Sequence, residues 1–147
     1  MVPKDRHKII TAVYLILLNN KNENLLLKRA NTGYEDGNYS LIAGHIDKKE
    51  TAFEAMIREG LEEGGIVLER ENLKLVHVMN RYTDHDRMDL FFSAQVWKGE
   101  PTNREPGKCT ELRWFPIEDL PPNMIPCVRE AIKNFCAKVL YSEFGWS

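Results

Sequence analysis

The sequence predicts an α/β domain in which a mixed sheet is packed between helices. Two observations carry that prediction. One is the order of hydrophobic runs, β-β-β-α-β-β-β-α, in which two groups of β-branched and aliphatic segments flank a capped amphipathic helix. The other is size and composition: 147 residues, 43% hydrophobic and 29% charged, suit one globular domain, predicted over 1–147.

Residues 1–8 read as a short polar arm. Ile9 to Leu18 is β-branched and aliphatic and ends in the turn signal Asn19-Asn20. Leu25 to Lys28 follows after a gap that suits a hairpin loop. Asn31 to Asn38 is polar and glycine-bearing, hence loop, and Tyr39 to Ala43 is a short strand that ends at Gly44. Thr51 to Glu63 is the clearest helix. Thr51 and Glu54 have capping-box spacing, and Phe53, Met56, Ile57 and Leu61 share one face. Gly64-Gly65 supplies the stop. Strands are expected at Leu73 to Tyr82, Met88 to Val96 and Leu112 to Phe115. A final helix is expected from Pro122 to about Tyr141, burying Val128, Ile132, Phe135 and Val139.

Twenty Lys and Arg against 22 Asp and Glu give a net charge of −2, which argues against non-specific nucleic-acid binding. The longest apolar run, Ile9 to Leu18, is too short to span a bilayer, and no small-x-small cleavage site follows it. Three cysteines without CxxC spacing read as reduced thiols. Together these predict a cytoplasmic protein with neither a membrane nor a nucleic-acid partner.

The informative feature is on the first helix. Glu59, Glu62 and Glu63 stand at i, i+3 and i+4 and so share a face, directed broadly away from the Phe53/Met56/Ile57 stripe. Like charges at that spacing repel, and near a helix C-terminus the dipole disfavours them further. A hard divalent cation reverses the sign of that interaction, and carboxylate oxygens suit Mg²⁺ or Mn²⁺. A plain solvated acidic face, bridged by Arg58, is the competing reading.

The longer register decides between them. Gly44 is followed by five residues and Glu50, then by seven and Arg58-Glu59, then by Gly60-Leu61, Glu62-Glu63, Gly64, Gly65 and Ile66. This resembles the signature of the Nudix (MutT-like) hydrolases over Gly44 to Ile66. Gly60 departs from the usual aliphatic position, and Ile42 and Ala43 replace a frequent Pro-Gly. Helix phase turns Gly60 toward the core, where it removes packing but no chemical group.

The resemblance implies an α/β/α sandwich with a mixed central sheet and Mg²⁺ dependence, with Mn²⁺ as a substitute. It implies metal ligands at Glu59, Glu62, Glu63 and the Gly44 carbonyl, and a buried Glu50–Arg58 pair that orients the helix. The expected reaction is attack of a metal-activated water on a nucleoside triphosphate, oxidised or otherwise modified ones included, releasing nucleoside monophosphate and pyrophosphate. Alternatives are another nucleoside diphosphate derivative, such as a nucleotide sugar or dinucleoside polyphosphate, or a nucleotide-sensing module that no longer cleaves. A homodimer stays open.

Glu105 and Glu111 are the loop candidates for general base. Glu105 lies in a segment, Glu105 to Cys109 followed by Leu112 to Phe115, that resembles triphosphate-cleaving family members. Lys28 and Arg29, at a strand end, are candidates for phosphate contact, and Ser40 for base contact. Tyr39, its neighbour, projects to the other face. Trp114 and Phe115 are expected in the core. His45 has no second histidine at metal spacing. Asp84, His85, Asp86 and Asp89 are expected as solvated charges of a hairpin loop.

Overall fold

The computed structural model describes residues 5–147. Residues 1–4 of the expected polar arm lie outside the described residues. Among the described residues, eight strands and two α-helices form in the order β1 (Ile10–Leu17), β2 (Glu23–Arg29), β3 (Tyr39–Ser40), β4 (Ile42–His45), α1 (Ala52–Gly64), β5 (Lys74–Tyr82), β6 (Asp86–Ala94), β7 (Cys109–Pro116), α2 (Pro126–Cys136) and β8 (Tyr141–Phe144).

The larger sheet has the order β4-β1-β6-β5-β8, and the smaller one β3-β2-β7. β1 runs parallel to β6 and β5 parallel to β8, while β1–β4 and β5–β6 are antiparallel, so the larger sheet is mixed, as expected. Alternation along β1 sorts two cores. Val13, Leu15 and Leu17 pack with Ala55 and Met56 of α1. Ile16 packs with Val128, Ala131 and Ile132 of α2 on the other face. The result is an α/β/α sandwich.

Helix α1 begins as its sequence predicts. Glu54 N–H donates to Thr51 Oγ1 (3.2 Å) and Thr51 N–H to Glu54 Oε1 (2.9 Å), closing the capping box. Gly65 ends it in the left-handed region at φ +65°. The apolar stripe is shorter than expected, because Leu61 is 48% exposed.

Two expectations need correction. The strand expected over Tyr39 to Ala43 is two strands in two sheets. Tyr39 and Ser40 pair with Lys28 and Leu27, whereas Ile42 and Gly44 pair with Leu15 and Val13. The chain crosses between sheets at Leu41, whose side chain is buried. The last helix is also shorter than the expected Pro122 to Tyr141. Pro126 takes its first position, where a missing N–H costs nothing. The helix has ended by Lys138, which is left-handed at φ +59°. Val139 is therefore not a buried helix residue. Its carbonyl meets His77 Nδ1 at 2.7 Å, and the following residues add β8 to the edge of β5.

Candidate active site

The first helix brings Glu63 to the wall of a cleft of about 900 Å³, with Glu59 packed behind Gly44, which also lines it. Glu59 and Glu63 are one turn apart, on the side of α1 that meets β4. Glu63 Oε1 accepts a hydrogen bond from the Ala43 N–H at 2.8 Å. Glu59 packs so tightly on Gly44 that a Cβ there would stand 1.6 Å from Glu59 Oε2. A side chain at position 44 would have to displace the Glu59 carboxylate, so the glycine backbone lies directly against it.

Burial is the main reason that both acids hold their protons. It pushes Glu59 up to about 7 despite the opposing Arg58 charge, with Glu62 and Glu105 adding to the rise. It pushes Glu63 up to about 8 despite the Ala43 bond, with Glu59 and Glu105 adding to the rise.

Arg58 anchors the outer side of this cluster. Its Nε meets Glu50 Oε2 at 2.7 Å and its Nη2 meets Glu50 Oε1 at 3.0 Å, a bidentate pair. Nη2 also donates to the His45 carbonyl at 3.0 Å, which ties the helix to β4. Hydrogen bonding from Arg58 holds the Glu50 carboxyl down at about 2. The pair expected to be buried is partly so, with side chains 26% and 15% exposed. Glu62 is turned outward, and its Oε2 accepts from Arg58 Nη1 at 3.1 Å. The solvated bridge considered at the sequence level thus exists at Glu62, while Glu59 and Glu63 point inward.

Among the described residues, no three His, Cys, Asp or Glu side chains stand together as a ready cage for an ion. The donor set nonetheless fits a hard cation. Burial keeps Glu59 and Glu63 half-protonated or more near neutral pH, and the glycine leaves its backbone in reach of Glu59. Mg²⁺ commonly takes one or two carboxylates and fills its shell with water and phosphate oxygens. A closed cage is therefore not required.

Of the other candidates, Arg29, Ser40, His45 and Glu105 line the cleft. Arg29 is pinned to the 31–36 loop, donating from Nε to the Tyr34 carbonyl at 2.8 Å and from Nη2 to Thr32 Oγ1 at 3.0 Å. Lys28 does not line the cleft. Its Nζ lies 5.9 Å from the centre of the Tyr39 ring. Strand alternation separates Lys28 from Arg29, and likewise turns Ser40 to the cleft and Tyr39 into the core around α2. Glu111, expected in a loop, lies in β7 and pairs with Arg113 at 3.3 Å, so of the two candidates only Glu105 lines the cleft. Trp114 stacks on Trp97 (5.8 Å) and Phe115 meets Tyr39 edge-on (5.0 Å), so both serve packing.

Asp89 departs from its expected place among loop charges. It lies in β6, 1% exposed, and accepts from Arg81 Nε at 2.6 Å. Arg81 lines the cleft, as does Tyr14. Sequence reasoning missed both. The available signal was an arginine and an aspartate diagonal to each other on one face of two strands joined by a short hairpin: Asp89 pairs with Met79, two residues before Arg81.

Comparison with known proteins places these features in a family. A model described as NUDIX domain matches residues 8–135. The chain is 29% identical over 117 residues to an 8-oxo-dGTP diphosphatase of Escherichia coli (strain K12), covering 77% of this chain and 88% of that protein. It is 32% identical over 108 residues to the NAD-capped RNA hydrolase NudC of Pseudomonas entomophila (strain L48), covering 74% of this chain. There the chain spans only 37% of the relative's length. Among solved structures, a MutT NUDIX hydrolase from Burkholderia pseudomallei superposes with a TM-score of 0.78 at 28% identity, covering 86% of this chain and 98% of that one.

Proposed function

Since the chain belongs to the Nudix family, whose members matched here hydrolyse pyrophosphate bonds, we propose that it cleaves a nucleoside triphosphate, ordinary or oxidised, to nucleoside monophosphate and pyrophosphate. The observation that carries this reading is the pair Glu59 and Glu63 packed on Gly44 and Ala43, with Glu63 on the wall of a nucleotide-sized cleft. A bound Mg²⁺ or Mn²⁺ would supply charge neutralisation for the phosphates and acidify a bound water.

The chain's own residues do the rest. Glu59, Glu63 and the Gly44 carbonyl hold the cation side, with Glu62 available from Arg58 at the rim. Glu50 and Arg58 fix the helix against His45, so the carboxylates keep their position as charge builds up. Glu105 receives the proton of the attacking water. Arg29, on the cleft wall, takes a phosphate oxygen, and Ser40 contacts the nucleoside. Lys28 faces away and has no place in this scheme. Charge positioning of this kind is the main catalytic resource for phosphoryl chemistry.

The NudC relatives support a second reading, a nucleoside diphosphate derivative with a larger leaving group. Incubating the protein with Mg²⁺ and triphosphates, 8-oxo-dGTP, nucleotide sugars and dinucleoside polyphosphates, and identifying both products, separates the two. Pyrophosphate and a monophosphate are expected from triphosphates. Inorganic phosphate as the initial product contradicts the proposed bond. Glu63→Gln is expected to lower kcat at least about a hundredfold while the protein stays folded.

A further inference from the structure

Glu105 holds its charge against two others. It stands near enough to Glu59 and Glu63 to add to the rise of both. Like charges in one cleft push apart, so the place of Glu105 depends on the loop that bears it. Backbone bonds tie that loop on either side. Before Glu105, the Thr102 N–H donates to the Gly64 carbonyl at 2.9 Å and the Arg104 N–H to the Glu63 carbonyl at 3.3 Å, which lays the chain along the end of α1. After it, the Lys108 and Cys109 N–H groups both donate to the Glu105 carbonyl, at 2.9 and 3.0 Å, and close a turn into β7.

Asn103 joins the two halves. Its Oδ1 accepts from the Glu105 N–H at 3.1 Å, and its Nδ2 donates to the Cys109 carbonyl at 2.6 Å. The amide has one orientation, because the N–H requires its oxygen and the carbonyl requires its nitrogen. Aspartate would offer the carbonyl no donor, and alanine would serve neither group. Asn103 lines the cleft, as Glu105 does.

We propose that Asn103 is the positioning residue for Glu105, holding its carboxylate where it takes the proton of the attacking water. This rests on the reading of Glu105 as the base. The proton passes from the water to a Glu105 oxygen and later to solvent. The water oxygen forms the bond to phosphorus as the bond to pyrophosphate breaks. Asn103 exchanges no proton itself and acts through the backbone on both sides of Glu105.

The test is steady-state hydrolysis of GTP and 8-oxo-dGTP with Mg²⁺ by the wild-type protein, Asn103→Ala, Glu105→Gln and the double variant. Asn103→Ala is expected to lower kcat about tenfold with KM changed by less than about twofold, since a displaced base slows chemistry and not binding. Glu105→Gln is expected to lower kcat about a hundredfold, and the double variant no further. A merely structural asparagine would cost the same factor in both backgrounds, and that result overturns the proposal. Amide hydrogen exchange needs no turnover. In Asn103→Ala the Glu105 amide is expected to exchange at least about fivefold faster at an unchanged melting temperature, and unaltered exchange overturns the proposal as well. The base assignment is judged apart from the tie. Full kcat in Glu105→Gln overturns the base and the catalytic use of the tie together, whereas kcat lost in Glu105→Gln but full in Asn103→Ala overturns the tie alone.

Discussion

Glu63 shows how one residue can work against the fold in order to serve the site. Its carboxyl is raised to about 8, and that of Glu59 to about 7, from an ordinary 4.5. In the folded chain these groups therefore bind more protons than in the unfolded chain between pH 4.5 and their raised values. Stability in chelator is fully present below about 4.5 and falls as pH climbs through 7 to 8. Melting temperatures across that range in EDTA are expected to decline, and Glu63→Gln to flatten the decline. A flat wild-type profile would show that the two acids ionise freely. Gly44→Ala belongs to the same scale. Its Cβ would occupy the place of the Glu59 carboxylate, 1.6 Å from Oε2, and expel it. A displacement of that size is expected to lower kcat/KM about a hundredfold, read by steady-state kinetics beside a melting curve.

At the scale of elements, helix α1 was the most legible part of the sequence because each of its signals is local. The Thr51 cap, the Glu54 return bond and the left-handed Gly65 need no tertiary information. Thr51→Ala is expected to cost about 1 kcal/mol in chemical denaturation, without altering the residues of the cleft. Spacing along the helix also sets Glu59 and Glu63 on one side, but not the outward turn of Glu62 to Arg58. What the sequence hid depends on distant partners. Gly60 was expected to face the core, and it does. The space is filled by Leu68 folding back from the following loop, whose Cδ1 would lie 2.6 Å from an added Cβ. The switch of sheets at Leu41 and the parallel pairing of β8 with β5 are non-local, and an apolar run at Val139 to Tyr141 reads equally well as the end of a helix. β8 is tied down by buried His77, whose Nε2 meets Ser142 Oγ at 2.8 Å and whose Nδ1 meets the Val139 carbonyl. His77→Phe is expected to lower stability by about 1–3 kcal/mol by leaving those groups without partners. Hydrogen exchange would then show early loss of protection at residues 141–144.

At the scale of the whole molecule, the site exists because two sheets of unequal size both line one cleft. β4 and α1 bring the acids, the small sheet brings Arg29 and Ser40, and the hairpin of β5 and β6 brings Arg81. The assembly sets Glu63 and Glu105 on the cleft wall together with the Arg81 guanidinium that Asp89 holds. The central claim is that Glu59 and Glu63 hold a divalent cation while a nucleotide occupies that cleft. The most direct measurement is Mn²⁺ binding followed by electron paramagnetic resonance at pH 7.5, with a nucleoside monophosphate present, on the wild-type protein and on Glu59→Gln and Glu63→Gln. The account predicts a bound ion in the wild type and affinity at least about tenfold lower in each variant. Equal affinity in all three proteins would contradict it.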